Sequence, residues 1–458
     1  MIRSVSRRLV LGIESTFDET GAAVIDANSG RVMGHALAST YTDKFGGLFG
    51  GVVPTLAGAE QDVWLNRVIA RAMVDAGVTD CAALSAVAVA VGPGLAGCLR
   101  QGVRRAAHVS RRFQVPLLRV NHLEAHLLSP RLDVALAFPF LALLVSGGHT
   151  QLVVSRGVGD HVFLGGTIDD AVGQAYDKVA RALGVDGGGA AIERLALNGD
   201  PTLLPLTVPL VRRRNCLFSF TGLKTMVERT IELAEPSTSA YWKLPRTAPV
   251  AVRNPAKLMH LPLLERLHAT GGADDAALQA LERQLPPALP ESLDVLANPR
   301  QFLVRPTRPA APEQLASDVA ASFQNVAIQH LMSRVRIALG WCAQHCPDVN
   351  TVVLSGGVAR NQALIAALGD VVAKHRVRVV VPRAELCTDN GIMIAWAGVE
   401  QLRAGLVEAP LRDTDPDIEY RPVMPLASRS SAPAPAPSSS GGSRPSSKLD
   451  AIISLKYR

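Results

Sequence analysis

Two stretches of the chain share one pattern, in which a short apolar run, a polar turn and a second apolar run follow one another. The first stretch is RLVLGIESTFDETGAAVID (8–26), and the second is FLALLVSGGHTQLVVSRG (140–157). Apolar runs joined by turn residues are typical of β-hairpins, and mixed strand and helix signals follow each hairpin. The repeat therefore predicts a duplicated α/β protein, although the two stretches have negligible sequence identity.

A third turn follows an apolar strand in TVVLSGGVARNQALIAAL (351–368), where Gly-Gly separates the strand from a helix. Backbone amides at such a turn and at the start of the next helix can hold an anion or a nucleotide. A single Gly-Gly turn is weak evidence, whereas three polar or glycine turns after three apolar strands are stronger. Because duplicated α/β folds bind ligands outside the strand ends, these turns form the predicted binding edge.

A pair of histidines stands in RVNHLEAHLLSP (119–130). His122 and His126 are four residues apart, so in a helix they share a face, as two ligands of one metal must. Glu124 is two positions from each and faces away, whereas the glutamate of the zinc-protease pattern H-E-x-x-H directly follows the first histidine. The stretch is compatible with a metal site and argues against a protease. The alternative is that no metal binds, with one histidine partly exposed and the other hydrogen-bonded to a carbonyl.

Composition limits the class of protein. The chain has 458 residues, of which 48% are hydrophobic and 19% charged, so it can form two or three domains with a large core. No apolar run reaches the ~18 residues that a membrane-spanning helix needs. The six cysteines form no C-x-x-C pair, which argues against a disulfide framework or a zinc ribbon and favours a reducing compartment.

The formal net charge of +7 is concentrated at the two ends of the chain. The tail (427–458) has five basic residues and one acidic residue, and MIRSVSRRLV has three arginines, so the remainder is near neutral. A nucleic-acid contact would therefore come from local clusters such as RRAAHVSRR (104–112) and VRRRN (211–215). The alternative for both clusters is solvated surface. In a helix, the first cluster would bring four arginines roughly onto one side: Arg104, Arg105, Arg111 and Arg112.

Shifts in composition divide the chain into segments. A proline-rich stretch (about 231–312) is predicted to be an insertion, surface-exposed and partly disordered, in which only 274–285 is convincingly helical. Every recognised motif lies outside the insertion, so deletion of 240–305 is expected to leave the chemistry intact. The predicted segments are a basic targeting-like start (1–8), an N-terminal lobe (9–130), a C-terminal lobe (131–426) whose last helix can pack on the N-terminal lobe, and a low-complexity disordered tail (427–458).

Ten stretches, in the same order, resemble the tRNA threonylcarbamoyladenosine synthase family, formerly described as O-sialoglycoprotein endopeptidases. They span residues 9–426 apart from the insertion, and so many ordered matches are highly specific. The stretches are LGIESTFDETGAAVID, GGVVPTLA, VGPGLAGCLRQG, NHLEAHLL, LLVSGGHTQLV, DDAVGQAYDKVARALG, FSFTGLKT, AASFQ, LSGGVARN and CTDNGIMIAWAG.

The resemblance implies two actin/hexokinase-like (ASKHA) lobes with a cleft between them. It implies an acyltransferase that moves a threonylcarbamoyl group from threonylcarbamoyl-AMP to the exocyclic amine of the adenosine beside the anticodon, in tRNAs reading codons that begin with A. One divalent metal, iron or zinc, would be held by His122, His126 and Asp389. The arginines of 104–112 would then contact tRNA, and a second copy or accessory proteins are further expected partners. The adenylate site would be lined by Leu144, Val145, Ser146, Gly147, Gly148, Asp177, Gly189 and Asn361.

The sequence departs from the family pattern at several positions. Gln174 stands where a glutamate is usual, and Leu144 cannot coordinate a metal as the tyrosine of some relatives does. The glycine turn 187–189 is one residue shorter than the family's, and Gly189 is predicted to be its substrate contact. Three further positions, where an acid, an arginine and a histidine are usual, hold Thr55, Ala59 and Gln61.

The turn IESTFDET is similar to that of the bacterial and organellar branch of the family. The start of the chain, rich in arginine and serine and without acids, is typical of a mitochondrial transit peptide. Together these features favour a mitochondrial location, with a bacterial cytosol as the alternative. The competing functions are an ATP-binding or ATP-hydrolysing relative of the same fold and a non-catalytic scaffold. The metal triad distinguishes the transferase, because nucleotide kinases of this fold lack it.

Overall fold

The computed structural model describes residues 8–39, 52–234, 273–297 and 311–426. These residues form two compact units. The first unit contains residues 8–39, 52–132, 273–297 and 389–424, and the second contains residues 133–234, 311–388 and 425–426.

The strands in chain order are β1 (Leu9–Glu14), β2 (Thr20–Asp26), β3 (Val32–Ala38), β4 (Ala86–Gly92), β5 (Leu117–Asn121), β6 (Phe140–Val145), β7 (Thr150–Gly157), β8 (Asp160–Gly166), β9 (Thr351–Ser355) and β10 (Arg378–Val380). The α-helices are α1 (Pro54–Asp75), α2 (Ala96–Phe113), α3 (His122–Leu128), α4 (Val172–Leu183), α5 (Gly188–Ala196), α6 (Thr221–Ala234), α7 (Ala273–Glu282), α8 (Pro290–Ala297), α9 (Glu313–His345), α10 (Gln362–Ala373), α11 (Ala384–Cys387) and α12 (Gly391–Arg403).

Each unit is built on a five-stranded sheet, and the two sheets have the same strand order and directions. The order is β3-β2-β1-β4-β5 in the first unit and β8-β7-β6-β9-β10 in the second. In each sheet three strands form an antiparallel meander, and two further strands are added in parallel. The hairpins predicted at 8–26 and 140–157 are β1–β2 and β6–β7. The predicted duplication is therefore confirmed, and the fold is of the actin/hexokinase-like type.

Helix α12 covers the sheet of the first unit and packs on β1 and β2. The approach is close because glycines leave room for backbone atoms. A Cβ on Gly12 would lie 2.2 Å from the Ala395 nitrogen, and a Cβ on Gly391 would lie 2.3 Å from the Ala22 carbonyl carbon. Residues 389–424 therefore belong to the first unit, whereas the sequence-based division assigned them to the C-terminal lobe and only allowed the last helix to pack on the other lobe.

Part of the predicted insertion is built into the first unit. Residues 235–272 and 298–310 lie outside the described residues, but α7 and α8 pack on α1. Leu278, Leu281 and Leu285 are buried in the core of the first unit. The expectation that the insertion is a surface-exposed part of the C-terminal lobe is thus wrong for 273–297, because leucines three and four residues apart give this segment an apolar face.

Residues 1–7 and 427–458 lie outside the described residues, so the targeting-like start and the disordered tail stay predictions. Among the described helices, none combines the length and the apolar character that crossing a lipid bilayer requires. All six cysteines carry free thiols, which agrees with the absence of a disulfide framework predicted from their spacing.

Candidate functional site

The first candidate site begins where β1 ends. Glu14, the last residue of β1, is fully buried. Its carboxylate accepts hydrogen bonds from the hydroxyl of Thr16 and, at 2.6 Å, from the Thr16 backbone N–H. Glu14 Oε2 lies 3.1 Å from His122 Nδ1, and Thr16 Oγ1 lies 3.2 Å from the same nitrogen. The polar turn after β1 therefore holds one ring nitrogen of His122.

Helix α3 carries both histidines on one face. It starts at the carboxyl end of β5, where the Asn121 side chain accepts hydrogen bonds from the N–H groups of Leu123 and Glu124 and caps the helix. The rings of His122 and His126 are 4.8 Å apart between centroids and nearly perpendicular, at 89°. Each histidine is only 2% exposed. The structure thus brings the pair together as the four-residue spacing predicts for a helix.

Asp389 approaches the histidines from the start of α12. The next residue, Asn390, caps that helix by accepting a hydrogen bond from the Met393 N–H. Asp389 Oδ1 lies 2.9 Å from His126 Nε2 and 3.6 Å from His122 Nε2. The candidate ligand atoms of the three side chains all lie within 4.8 Å of one another, and the described residues contain no other such group.

Carboxylates dominate the electrostatics of this cluster. Burial lowers the pKa of His122, but the charges of Glu14 and Asp389 raise it to about 9. Burial raises the pKa of Glu19 well above its usual value, and the carboxylates of Asp18 and Asp389 raise it further. A buried site with this concentration of carboxylates stabilises a cation, either a proton on His122 or a metal ion among the three side chains.

The donor set fits a divalent metal. Two imidazole nitrogens and one carboxylate oxygen are ligands of both Fe(II) and Zn(II) sites in proteins. The contact from Glu14 to His122 has the form of the outer carboxylate that orients a metal-binding imidazole. Three protein ligands leave coordination positions for water or substrate. His122, His126 and Asp389 are therefore a candidate centre for one divalent metal.

Gln61, on α1, supports the turn that follows β1. Its buried side-chain amide donates hydrogen bonds to the backbone carbonyls of Phe17 (2.8 Å) and Glu19 (2.9 Å). Two other residues of this helix also differ from the family pattern: Ala59 is buried and Thr55 is exposed. The glutamine that replaces the usual histidine thus has a role in holding the turn.

The second candidate site lies at the carboxyl end of β6, in the second unit. Leu144 and Val145 are buried within the strand, so only their backbone groups can face a ligand. Ser146 Oγ accepts hydrogen bonds from two backbone N–H groups of the turn, at 3.0 and 3.3 Å. No described atom would lie within 4 Å of a Cβ on Gly147, so this glycine borders open space.

Two further glycines, one at the start of a helix and one in a turn, approach the end of β6. A Cβ on Gly173, in α4, would lie 2.6 Å from the Ser146 carbonyl oxygen, and a Cβ on Gly356 would lie 2.4 Å from the Val145 carbonyl oxygen. Gly356 also has a φ of +98°, in the region that favours glycine. Because β9 pairs with β6 in parallel, the turns that follow both strands meet at one edge of the sheet. Close-packed glycine turns expose backbone N–H groups that can hold an anion.

Two of the predicted adenylate-site residues are in contact, and a third is a helix cap. Asp177 is exposed, and its Oδ1 accepts a hydrogen bond from the Gly189 N–H at 3.1 Å. Asn361 is buried and caps α10 by accepting from the Leu364 N–H at 2.9 Å, while its Nδ2 donates to Gln324 at 2.8 Å. Asp177 is therefore accessible to a ligand, whereas the side chain of Asn361 is engaged in holding the start of α10.

The arginines of α2 are mostly engaged within the first unit. Arg105 is fully buried, and its Nη1 lies 2.6 Å from Asp62 Oδ1. The prediction that Arg105 contacts nucleic acid is wrong, because the carboxylate on α1 binds its guanidinium inside the protein. Arg104 bonds the same carboxylate at 2.7 Å, and Arg111 lies 3.3 Å from an aspartate in the segment after α12. Arg112 is exposed. One concave surface is lined by Arg104, Arg111 and Arg112 together with His108, Pro286 and Asp413.

Four residues that shape the first site were given no role from the sequence: Glu14, Thr16, Asn121 and Asn390. An asparagine directly before a helix is a recognised start signal, so the two caps could have been found. A glutamate at the end of an apolar strand is a weaker signal, because nothing local shows that it faces a histidine more than a hundred residues away.

The protein thus combines a duplicated actin/hexokinase-like fold with a histidine–histidine–aspartate cluster in one unit and glycine turns in the other. Residues 36–396 match the model of the tRNA N6-adenosine threonylcarbamoyltransferase family. The chain therefore belongs to that family and is a transferase.

Similar proteins cover most of the chain. It is 34% identical over 425 residues to "Probable tRNA N6-adenosine threonylcarbamoyltransferase, mitochondrial" of Arabidopsis thaliana, covering 91% of this chain and 75% of that protein. It is 37% identical over 421 residues to the tRNA N6-adenosine threonylcarbamoyltransferase of Methylorubrum populi, covering 90% and 99%. A solved structure, the activator of the 2-hydroxyisocaproyl-CoA dehydratase from Clostridium difficile, has a TM-score of 0.41 and 10% identity over 87% of this chain and 97% of that one, a likeness too weak to bear on function.

Proposed function

We propose that the protein transfers a threonylcarbamoyl group from threonylcarbamoyl-AMP to N6 of the adenosine beside the anticodon, in tRNAs that read codons beginning with A. As a member of its family the protein is a tRNA-modifying transferase. The observation that carries the finer proposal is the convergence of His122, His126 and Asp389, whose candidate ligand atoms lie within 4.8 Å of one another.

The proposed reaction is an acyl transfer. The lone pair of N6 attacks the carbonyl carbon of the threonylcarbamoyl group, the bond from that carbon to the phosphate oxygen breaks, and AMP leaves with the bonding electrons. N6 loses one proton, which passes to solvent, in the same reaction. Because AMP is a good leaving group, little acid catalysis is required. Positioning the amine against the carbonyl carbon then supplies much of the rate.

We assign one divalent metal, iron or zinc, to His122, His126 and Asp389. When bound there, it would supply Lewis-acid polarisation of phosphate or carbamoyl oxygens. Glu14 Oε2 lies 3.1 Å from His122 Nδ1, so this nitrogen carries the proton and donates to the carboxylate. The other nitrogen, Nε2, faces Asp389 Oδ1 at 3.6 Å and would give up its proton when a metal binds. Glu14 thereby sets both the tautomer and the orientation of the imidazole.

The donor is proposed to bind the second unit at the carboxyl end of β6. Gly147 borders open space, which suits close approach of a phosphate to the Gly147 N–H. Leu144 and Val145 contribute backbone groups only, since their side chains are buried. Asp177 and Gly189, in contact at 3.1 Å, form an accessible polar pair suited to ribose hydroxyls.

The acceptor is an adenosine in tRNA, whose anticodon loop can present an unstacked base at low cost. Arg112 is exposed, and Arg104 and Arg111 share its concave surface, so these three arginines are the proposed tRNA contacts on α2. We also propose a second copy or an accessory protein as partner. A mitochondrial location is supported by the name of the plant relative, and a bacterial cytosol is the alternative supported by the bacterial relatives.

Depletion of the protein is expected to lower N6-threonylcarbamoyladenosine in tRNA, because no transfer to N6 can then occur in the compartment that contains the protein. Nucleosides from organellar and cytosolic tRNA would be measured separately by mass spectrometry. Re-expression of the natural chain should restore the modified nucleoside, whereas re-expression of His126→Ala should not. Unchanged levels in both tRNA pools after depletion would overturn the proposed function.

Asp177→Ala and Asn361→Ala are expected to weaken binding of the adenylate donor more than binding of tRNA. Asp177→Ala removes an exposed hydrogen-bond acceptor beside Gly189. Asn361→Ala removes a helix cap worth about 1 kcal/mol at the edge of the sheet where the donor is proposed to bind. Asp370→Ala, which removes an exposed carboxylate on α10, is the matched control. Calorimetric titration with a non-hydrolysable adenylate and filter binding of tRNA would measure the two affinities. Equal losses for both ligands would contradict the assignment.

A further inference from the structure

A buried arginine lies beneath the segment 209–215, here called the arginine loop. Arg334, on α9, is 1% exposed. Its Nη1 donates hydrogen bonds to the carbonyl oxygens of Arg213 (2.5 Å) and Asn215 (3.1 Å). Its Nη2 donates to the carbonyl oxygens of Leu210 (2.5 Å) and Pro209 (3.4 Å). One guanidinium group from α9 thus holds four backbone carbonyls of the loop in place.

The loop presents three consecutive arginines to solvent. Arg212, Arg213 and Arg214 are all exposed. Within the part of the chain that the structure describes, none of their guanidinium groups forms an ion pair or a side-chain hydrogen bond. A row of unengaged guanidinium groups on a rigid loop binds anions with little loss of entropy, because only the side chains have to be ordered.

No carboxylate of the described residues forms an ion pair with the arginines of the loop. Among the described residues, the partners of Arg334 are carbonyl oxygens and no carboxylate. The neighbouring His330 is uncharged at neutral pH, since burial, and then the charge of Arg334, lower its pKa to about 3. The α2 cluster differs, because Arg104 and Arg105 share the carboxylate of Asp62. The arginine loop is therefore the stronger concentration of uncompensated positive charge of the two.

We infer that the arginine loop binds the phosphate backbone of the tRNA substrate. This inference rests on the proposed function and adds to it a surface in the second unit. Guanidinium groups pair with phosphates through two hydrogen bonds, and Arg is favoured over Lys at such contacts. No aromatic residue stands in 209–215, so the loop offers phosphate pairing without base stacking. The contact thus positions the tRNA and does not read its sequence.

The test is the salt dependence of tRNA binding by the full chain. Arg212→Gln/Arg214→Gln should make the slope of log affinity against log salt shallower by about two, since each lost phosphate contact removes about one. The matched control is Lys374→Gln/Arg376→Gln, which removes the same charge from two exposed residues of the second unit. Its slope should stay that of the natural chain. Affinity for the adenylate donor should be unchanged in both variants.

Folding is controlled separately, because the bonds from Arg334 reach backbone carbonyls of Leu210 and Arg213, which neither substitution changes. Thermal unfolding of the double variant should match that of the natural chain. An unaltered salt slope in Arg212→Gln/Arg214→Gln, or an equal change in the control, overturns the inference. Failure of the proposed function would look different, because the natural chain would then show no transfer to tRNA at any salt concentration.

Discussion

Replacement of His126 by alanine is expected to empty the proposed metal centre while leaving the first unit folded. His126 is one of three candidate protein ligands, and its Nε2 lies 2.9 Å from Asp389 Oδ1. Changes to residues that only support a ligand already reduce metal affinity roughly 10–100-fold, so loss of a ligand itself should reduce it further. Metal per folded protein, measured by elemental mass spectrometry, should fall to background, and transfer to tRNA should fall with it.

His35→Ala is the matched control, because His35 is an exposed histidine of the same unit, on β3. It should keep the metal content of the natural chain. Glu14→Gln is a graded variant, since it keeps the shape of the side chain that contacts His122 and removes its charge. It should weaken metal binding roughly 10–100-fold, and excess metal should restore loading. Unchanged metal stoichiometry in His126→Ala, with circular dichroism showing a folded protein, would refute the centre.

Replacement of Leu281 by alanine is expected to destabilise the first unit by about 2–5 kcal/mol. Leu281 is 1% exposed and belongs to the core that includes β1 and β4 residues, so the shorter side chain leaves a cavity there. Gln279→Ala, on the exposed side of the same helix, should change the free energy of unfolding by no more than about 0.5 kcal/mol. Urea unfolding followed by circular dichroism would measure both.

The contacts of residues 273–297 with the rest of the first unit also predict the result of a deletion. Gln284 Oε1 accepts a hydrogen bond from the Cys81 N–H at 3.1 Å, and Asp62 Oδ2 accepts one from the Leu289 N–H at 2.6 Å. Deletion of 240–305 removes these bonds and the three buried leucines, so we expect loss of stability, although composition predicted that the segment is dispensable for the chemistry. A shorter deletion, 240–268, keeps α7 and α8. Equal urea midpoints for the 240–305 deletion and the natural chain would show that α7 and α8 add nothing to the core.

Much of the fold could be predicted because it is encoded locally. Apolar runs interrupted by polar turns specify hairpins, and both predicted hairpins are present as β1–β2 and β6–β7. The shared face of His122 and His126 follows from helical geometry alone, and their rings do lie 4.8 Å apart. Helical geometry could not predict that Asp389 joins the two histidines. That prediction came from the resemblance to a family. Local sequence does not specify which distant segment will contact a given residue.

The sequence by itself therefore determined the strand–turn–strand units, the α/β class and the face that carries the histidine pair, because these depend on periodicities of two and 3.6 residues. Only the tertiary structure decided which charged side chains are buried and paired inside the protein. Arg105 and Arg112 stand in one basic cluster, yet Arg105 is fully buried against Asp62 while Arg112 is exposed. Likewise, the buried carboxylate of Glu14 faces His122 only because β1 and β5 end at the same edge of one sheet. A buried ion or ligand is stable only when its partner is present, and long-range packing alone brings that partner to it.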